Sequence, residues 1–287
     1  MSFVLFTDSS SNITPDLAAQ WDVRIVSLYY TLDGGEHPAY DPDFDGRRFY
    51  DALRNRAEVR TSMINADQFA QAFEPALAAG EDLIYIGMSS GISGTVQAAA
   101  VAAGTLQERY PERRIYVKDT LGASFGEGLF VKKVSEMRAA GKDIDEAAAW
   151  VDENVQRMNQ VFTVEDLMFL RRGGRLSGMT AVIGTLANVK PILWGSEEGK
   201  IVAIDKMIGR KRSLKALADR YANQVIDPEG QTIAIAHSDC EADAQYLVDL
   251  IRRQFPKQEV LVRCYEPGTG AHVGPGAVAL FFFGKAR

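Results

Sequence analysis

The sequence contains few of the residues that bind metals or form disulfides. Its 287 residues include two cysteines, Cys240 and Cys264, and three histidines, His37, His237 and His272. None of them falls in the C-x-x-C or H-x-x-x-H spacing of a structural zinc site, so we expect no metal ion. So few cysteines are typical of a reducing compartment.

Long apolar runs and long basic runs are also missing. The apolar stretch AVALFFFG (277–284) is far shorter than the ~20 residues of a membrane-spanning helix. The N-terminal segment MSFVLFTDSS lacks the basic region of a signal peptide, which predicts a cytoplasmic protein. The net charge of −6 and the pI of about 5.3 argue against nucleic acid or an anionic membrane as a partner.

Hydrophobic residues make up 46% of the chain, enough for a folded core. Their spacing predicts a different order of strands and helices in the two parts of the chain. Up to about residue 160, strands alternate with helices, which predicts a parallel sheet with flanking helices. The predicted strands are 3–7, 24–31, 82–87 and 114–119, and the predicted helices are 15–20, 46–55, 66–80, 94–109, 123–140 and 144–159.

Beyond residue 160 the rhythm changes. The segments 190–195 and 200–206 are joined by SEEG, which favours an antiparallel hairpin. We therefore predict an N-terminal α/β domain over 1–160 and a C-terminal α+β domain with a mixed or antiparallel sheet over 161–287. The other predicted elements are strands 160–164, 232–238, 259–265 and 277–284, helices 209–224 and 241–254, and helical segments in 165–187.

Polar loops are the candidate sites, because α/β sheets bind ligands beyond the carboxyl ends of their strands. In TDSSSN (7–12), helix capping is a sufficient role for the serines and Asn12. In RTSMIN (60–65), Asn65 is the natural cap of the next helix. Thr61 and Ser62 then have no structural role, and their hydroxyls are candidate donors to an anion.

The loop GMSSGISGT (87–95) permits two interpretations. Its first five residues match G-x-S-x-G, the nucleophile elbow of α/β hydrolases, with Ser89 as nucleophile and His272 as base. In an elbow, however, the helix begins directly after the serine, whereas here GISG intervenes and no HGGG-type oxyanion loop precedes.

The second interpretation places the working part of this loop at a helix N-terminus. Ser93, Gly94 and Thr95 would offer amides, hydroxyls and the positive end of the helix dipole to an anion. A phosphate site usually includes a lysine or arginine, and SSGISGT contains neither. We therefore expect a carboxylate.

Two further segments have both a structural and a functional interpretation. A lone histidine usually has a structural role, but the glycines around His272 favour binding. In LRRGGRLSG (170–178), a solvated charged turn is the simpler interpretation, while Arg171, Arg172 and Arg175 are candidates for contact with an anion or a partner protein.

Taken together, these segments resemble the DegV family of bacterial fatty-acid-binding proteins. The similar motifs occur in family order over nearly the whole chain, and their ordered set is specific. They are TDSSSN, RTSM, SSGISGTVQ, DTLGASFGEG, LRRGGRLSG, KPIL, KMIGRKR and HVGPGA.

The resemblance implies a two-domain α/β protein that buries one long-chain fatty acid. By matching motifs, the carboxylate would bind the hydroxyls of Thr61 and Ser93. The resemblance places Ser62, Gly94 and His272 nearby, and Thr95 is a further ligand-binding candidate from its position at the helix N-terminus.

The resemblance further implies a lipid carrier that is not itself an enzyme and needs no cofactor. Some members of the family present the fatty acid to a separate ATP-dependent kinase related to dihydroxyacetone kinases, which makes an acyl phosphate for phospholipid synthesis. Arg171, Arg172 and Arg175 would then be candidates for binding this kinase. A serine esterase using Ser89 and His272, and a sensor for a sugar phosphate, are the alternatives.

Overall fold

The computed structural model describes residues 3–177 and 188–287, which form two compact units. Unit 1 contains residues 3–44 and Arg60–Val155, and unit 2 contains Asp45–Val59 and the described part of Gln156–Arg287. The division into domains 1–160 and 161–287 stays a proposal. The structure adds that Asp45–Val59 belongs with unit 2, so the chain passes between the units three times.

Thirteen strands lie in the described residues. In chain order they are β1 (Val4–Asp8), β2 (Val23–Val26), β3 (Tyr29–Leu32), β4 (Gly35–Pro38), β5 (Arg60–Ser62), β6 (Leu83–Gly87), β7 (Ile115–Asp119), β8 (Met158–Thr163), β9 (Val189–Gly195), β10 (Ile201–Ile208), β11 (Thr232–His237), β12 (Glu259–Cys264) and β13 (Val278–Phe283).

Ten α-helices lie in the same residues. They are α1 (Pro15–Gln20), α2 (Gly46–Arg54), α3 (Ala66–Ala78), α4 (Thr95–Arg109), α5 (Phe125–Ala139), α6 (Ile144–Asn154), α7 (Met168–Arg172), α8 (Arg210–Gln224), α9 (Glu241–Gln254) and α10 (Pro267–Val273).

The central sheet of unit 1 is parallel, as predicted, with the strand order β2-β1-β6-β7. Every residue of β1 and β6 is buried, which explains their nearly continuous apolar sequences VLFTD and LIYIG. Aromatic rings from β1, α3 and β6 pack together on one face, with centroids of Phe6 and Phe73 5.0 Å apart and those of Phe69 and Tyr85 5.0 Å apart.

The prediction of one strand over 24–31 is wrong, because the chain changes sheets there. Strand β2 joins the parallel sheet, whereas β3 joins a separate antiparallel sheet with the order β4-β3-β5. Ser27 lies at the change: its hydroxyl donates to the carbonyl of Leu28 at 2.7 Å and accepts the amide of Tyr40 at 2.9 Å. A short polar residue therefore replaces ladder hydrogen bonds at this point.

Helices α1, α3 and α6 begin at the predicted residues, whereas α4 and α5 begin one and two residues later than predicted. Asn65 caps α3 in a reciprocal pair with Gln68, and Asp143 caps α6 in the same way with Glu146. The predicted helix 144–159 is too long, because α6 ends at Asn154 and a buried strand begins only four residues later.

Unit 2 contains a six-stranded mixed sheet with the order β10-β9-β8-β13-β11-β12, which confirms the predicted α+β character. The hairpin of β9 and β10 is antiparallel as predicted, and β11 and β12 are the parallel pair. Helices α8 and α9 cover an apolar core whose buried rings include Tyr221 and Phe282, with centroids 5.0 Å apart.

Two neighbouring stretches between β8 and β9 are predicted to be helical. Of the predicted helical stretch 165–178, the described residues 165–177 are helical only over α7. The stretch 179–187, also predicted to be helical, lies outside the described residues.

Segment Asp45–Val59 is anchored on unit 2 through α2. The buried hydroxyl of Tyr50 donates to the carbonyl of Tyr265 at 3.1 Å. Arg54 forms an ion pair with Asp239 at 2.5 Å.

Candidate functional site

Thr61 and Ser62 lie in a strand rather than in the loop that the sequence predicts. They form part of β5, where Thr61 pairs with Tyr30 and Ser62 with Tyr29. Thr61 is half-buried and Ser62 is exposed. The strand fixes the backbone, so the two side chains point to opposite faces of the small sheet.

The second predicted hydroxyl group lies at the N-terminus of α4. Gly94 is the N-cap of this helix and Thr95 is its first residue, one residue after the predicted start. The hydroxyls of Ser93 and Thr95 lie 2.8 Å apart, and the amide of Thr95 donates to Ser93 Oγ at 3.3 Å. Because Thr95 is fully buried, Ser93 is the hydroxyl that remains half-buried and available at the helix end.

Met63, the residue after β5, contacts this helix end within unit 1. Its Sδ and Cε atoms lie 3.2 Å from the position that a Cβ on Gly94 would take. The segment after β5 therefore packs on the first turn of α4. The result is a small polar surface with hydroxyls and a helix N-terminus, which suits a carboxylate.

The loops at the carboxyl ends of β1, β6 and β7 are joined by hydrogen bonds. The amide of Ser89 donates to the carbonyl of Gly122 at 2.7 Å, and the hydroxyl of Thr120 donates to the carbonyl of Gly87 at 2.9 Å. The amide of Ser124 donates to the carbonyl of Ser10 at 2.8 Å. Movement of one loop would therefore disturb the others.

A buried pair of carboxyl groups, Asp8 and Glu127, supports these loops. Asp8 accepts the amide of Ser10 at 2.8 Å and the hydroxyl of Tyr85 at 2.5 Å. Glu127 accepts the hydroxyls of Thr7 at 2.5 Å and Ser10 at 2.8 Å. The signal for Glu127 was a single acid in an otherwise apolar helical stretch, FGEGLFV.

Ser89 does not have the geometry of a nucleophile elbow. Its side chain is fully buried, its Oγ accepts the amide of Gly91 at 3.0 Å, and α4 begins only at Thr95. The structure therefore gives no support to the assignment of Ser89 as an exposed nucleophile.

A second G-x-S-x-G match, Gly122–Gly126, also escaped the sequence analysis. Its serine, Ser124, directly precedes α5 and has φ 55° and ψ −137°, a conformation that side-chain-bearing residues rarely adopt. Its hydroxyl is buried and has no hydrogen-bond partner among residues 3–177 and 188–287. Strand–turn–helix geometry is thus present at Ser124, but without an accessible hydroxyl.

In unit 2, His272 lies in a helix rather than in the flexible loop that the sequence predicts. It belongs to the last turn of α10, whose first turn is capped by Glu266 accepting the amide of Thr269 at 2.6 Å. The imidazole packs against Gly173, where it occupies the space of a side chain. Burial, reinforced by the positive charge of Arg175, lowers the pKa of His272 from its ordinary 6.5 to about 4. The imidazole is therefore neutral at physiological pH.

The three candidate arginines lie in or directly after α7. Arg171 and Arg172 are exposed, and the Arg172 guanidinium lies 4.8 Å from the centroid of the Phe169 ring. Arg175 is half-buried and donates to the carbonyl of Gly173. The glycine pair therefore brings His272 and Arg175 into one local arrangement within unit 2.

The predicted site residues are thus distributed over both units. Unit 1 holds one group and unit 2 the other: Thr61, Ser62, Ser93, Gly94 and Thr95 in the first, and Arg171, Arg172, Arg175 and His272 in the second. Within residues 3–177 and 188–287 there is no cluster of three or more histidine, cysteine or acidic residues that could hold a metal ion. None of the helices in those residues is long and apolar enough to cross a bilayer.

Comparison with known proteins identifies the family. A family model described as "Uncharacterised protein, DegV family" matches residues 2–285, and this chain belongs to that family. A DegV domain-containing protein of Clostridium perfringens is 36% identical over 286 residues, which cover 99% of this chain and 98% of that protein. The resemblance seen in the ordered motifs is therefore confirmed.

Solved structures of the family agree over the same length. A DegV family protein of Thermus thermophilus that binds fatty acid is 28% identical, with a TM-score of 0.87 and coverage of 99% of this chain and 100% of that chain. A fatty-acid-binding DegV family protein of Streptococcus agalactiae is 27% identical, with a TM-score of 0.84 and coverage of 99% of each chain. This similarity extends through both units of the fold.

Proposed function

We propose that this protein is a carrier that binds one long-chain fatty acid, with its carboxylate on the hydroxyls of Thr61 and Ser93. The observation that carries the proposal is the hydroxyl-bearing surface at the N-terminus of α4, joined to β5 through Met63. Fatty-acid binding by the Thermus and Streptococcus relatives supports the same ligand class. Gly94 and Thr95 form the helix N-terminus at this surface, while Ser62, and His272 of unit 2, stay candidates from their family motifs.

Most of the binding free energy in this proposal comes from burial of the acyl chain. Each buried methylene contributes about 0.8 kcal/mol, so a long acyl chain contributes on the order of 10 kcal/mol before the cost of ordering. The head group needs only enough hydrogen bonds to offset the loss of its hydration. Charge-assisted hydrogen bonds from two hydroxyls and the dipole of α4 meet that need.

Neutral donors also suit onward chemistry. A bidentate arginine would hold both carboxylate oxygens and reduce their nucleophilicity, whereas hydroxyls leave a lone pair for attack on a phosphoryl group. The neutral imidazole of His272 adds no positive charge. We therefore propose that the bound carboxylate is presented to a separate ATP-dependent kinase related to dihydroxyacetone kinase, which forms the acyl phosphate.

The arginines around α7 are the proposed contact for that kinase. Arg171 and Arg172 are exposed, and a kinase carrying ATP approaches with negative charge near its active site. In this proposal the protein supplies no catalytic residue of its own. The buried state of Ser89 supports a carrier over a serine esterase.

Denaturing extraction and mass spectrometry of freshly purified protein test the proposal. We expect a long-chain fatty acid in stoichiometric amount. The double variant Thr61→Val/Ser93→Ala should bind added fatty acid about 100-fold or more weakly, because two hydrogen bonds to a charged group are lost. Thr105→Ala, which removes an exposed hydroxyl from α4, is the matched control and should bind normally.

Two results would contradict the proposal. Protein that is empty and takes up no added fatty acid would remove the carrier function, and a double variant with unchanged affinity would remove the hydroxyl site. For the kinase contact, Arg171→Glu/Arg172→Glu should weaken acyl-phosphate formation while leaving the extracted lipid unchanged. Loss of lipid in this variant would instead assign the arginines to ligand binding.

A further inference from the structure

Asp8 and Glu127 form a closed, fully buried pair at the carboxyl end of the parallel sheet. Ser10 bridges them, because its amide donates to Asp8 Oδ1 at 2.8 Å and its hydroxyl donates to Glu127 Oε2 at 2.8 Å. Tyr85 donates to the second oxygen of Asp8 at 2.5 Å, and Thr7 donates to the second oxygen of Glu127 at 2.5 Å. All five side chains are buried.

Within residues 3–177 and 188–287, no hydrogen bond or ion pair joins Asp8 or Glu127 to a lysine or arginine. The other titratable group in contact with the pair is Tyr85 of β6, which is itself affected by Asp119 of β7, and none of the largest effects on the pKa values of Asp8, Tyr85 and Glu127 comes from a lysine or arginine. Burial raises the pKa of Asp8 above 3.8, and burial together with the nearby Asp8 raises the pKa of Glu127 well above 4.5. Two buried carboxyl groups bridged by one serine disfavour double ionisation, because neither charge is hydrated.

The turn that follows Asp8 is hydrogen-bonded toward the segments that carry the proposed ligand hydroxyls. The Ser10 carbonyl accepts the amide of Ser124, and the Ser9 hydroxyl accepts the amide of Leu28 at 2.9 Å, just before β3. Strand β3 pairs with β5, the strand of Thr61.

On the other side, Asp8 accepts the amide of Met88. The next residue, Ser89, accepts the amide of Ser93 at 3.1 Å through its carbonyl. Both hydroxyls of the proposed head-group site are therefore connected to the carboxyl pair by short hydrogen-bonded paths.

We propose that Asp8 and Glu127 form a proton-dependent lock: the protonated pair fixes the strand that holds Thr61 and the loop that holds Ser93, and its ionisation weakens fatty-acid binding. This inference rests on the proposed function for its ligand, but the lock itself is a property of unit 1. Neither group touches the ligand in this proposal: both are positioning residues.

The direction of the pH effect follows from linkage. Both pKa values are raised in the folded protein, so the locked state binds more protons than the opened state. Stability of the lock is therefore greatest at low pH and falls as the pH rises above the ordinary carboxyl range through the folded pKa values. With one linked proton, the opening equilibrium changes by up to about tenfold per pH unit within that window.

Glu127→Gln tests the lock, because glutamine keeps the shape of the side chain and cannot ionise. Amide exchange of peptides covering 8–12, 87–93 and 120–125, corrected for intrinsic rates, reports loop opening from about pH 5 to about pH 9. Fatty-acid affinity is measured over the same range. In the wild type we expect faster corrected exchange and weaker binding as the pH rises, and in Glu127→Gln we expect both profiles to be flat.

Thr7→Val is the matched control. It removes the hydrogen bond to Glu127 Oε1 without changing any charge, so it should shift exchange by a constant factor and leave its pH dependence intact. The titration of the fatty acid itself is common to all three proteins and cancels in the comparison.

The outcomes test the existence of the lock separately from the carrier function. A wild-type exchange profile that is flat, or one whose slope persists in Glu127→Gln, overturns the lock even when fatty acid binds. Absence of fatty-acid binding at every pH overturns the proposed function, while the exchange profiles still decide whether the lock exists. Should Glu127→Gln fail to fold, Asp8→Asn takes its place, and the wild-type profile remains a test by itself.

Discussion

Two loops of unit 1 carry the same five-residue motif and use it differently. In the loop between β6 and α4, the serine of Gly87–Gly91 lies six residues before the helix and has an ordinary backbone conformation. In the loop between β7 and α5, the serine of Gly122–Gly126 lies directly before the helix, with φ 55° and ψ −137°. Only the second loop has the strained turn that defines a nucleophile elbow.

The comparison shows that the motif specifies glycine spacing and not function. An elbow needs a strained serine whose hydroxyl is accessible, and each loop lacks part of this requirement. The Ser89 hydroxyl is buried and accepts a hydrogen bond, whereas the Ser124 hydroxyl is buried at a strained position. The extra residues GISG give the first loop a different ability, since they expose Ser93 and Gly94 at a helix N-terminus.

The largest expected effect comes from Gly128 of α5, the helix that follows the second loop. A Cβ on Gly128 would lie 2.5 Å from the carbonyl oxygen of Ser11, which is backbone and cannot move away easily. Gly128→Ala should therefore lower the free energy of unfolding by about 2–3 kcal/mol. Urea denaturation measures this change.

Gly104 in α4 provides the control for the first loop's helix. Nothing lies within 4 Å of a Cβ at this position, so Gly104→Ala should stabilise the protein by about 1 kcal/mol through helix propensity. Equal effects of the two alanines would show that α5 does not depend on close approach to the Ser9–Asn12 turn.

A second substitution addresses the strain at Ser124. Glycine adopts φ 55° without a steric penalty and removes the buried hydroxyl that has no partner in residues 3–177 and 188–287. Ser124→Gly should therefore raise the free energy of unfolding by about 1–2 kcal/mol, and Ser124→Ala by less, since alanine keeps the strain. Thermal or urea unfolding of the three proteins gives the order. A destabilised glycine variant would mean that the serine hydroxyl contributes to the fold.

The sequence predicted the architecture well where periodicity is strong. The parallel sheet and the hairpin of β9 and β10 follow directly from buried apolar runs, and the start of α3 follows from its capping residue Asn65. It failed at the junction of β2 and β3, because a continuous β-prone stretch does not reveal that Ser27 diverts the chain into another sheet. It also could not show that Asp45–Val59 belongs with unit 2, since this depends on long-range contacts such as that of Tyr50 with Tyr265.

The features of the candidate site that depend on local sequence could be predicted, whereas those that depend on long-range contacts could not. The N-terminus of α4 and the capping role of Asn65 are local features, and both predictions are confirmed. The strand position of Thr61, the helical position of His272 and the pairing of Asp8 with Glu127 depend on partners far away in sequence. The assignment of the ligand hydroxyls stays a prediction until binding is measured.

The smallest expected effect concerns Ser89, the serine of the first loop. Its hydroxyl accepts the amide of Gly91 at 3.0 Å inside the core, so Ser89→Ala should lower the free energy of unfolding by about 1 kcal/mol. Ser90→Ala, which alters the exposed neighbour, should change stability by less than about 0.5 kcal/mol. A fluorophosphonate probe adds a second readout, because a buried hydroxyl without elbow geometry should leave the mass of the wild-type protein unchanged. Covalent labelling of the wild type that is absent in Ser89→Ala would show that the Ser89 hydroxyl is reactive, and would support the serine esterase.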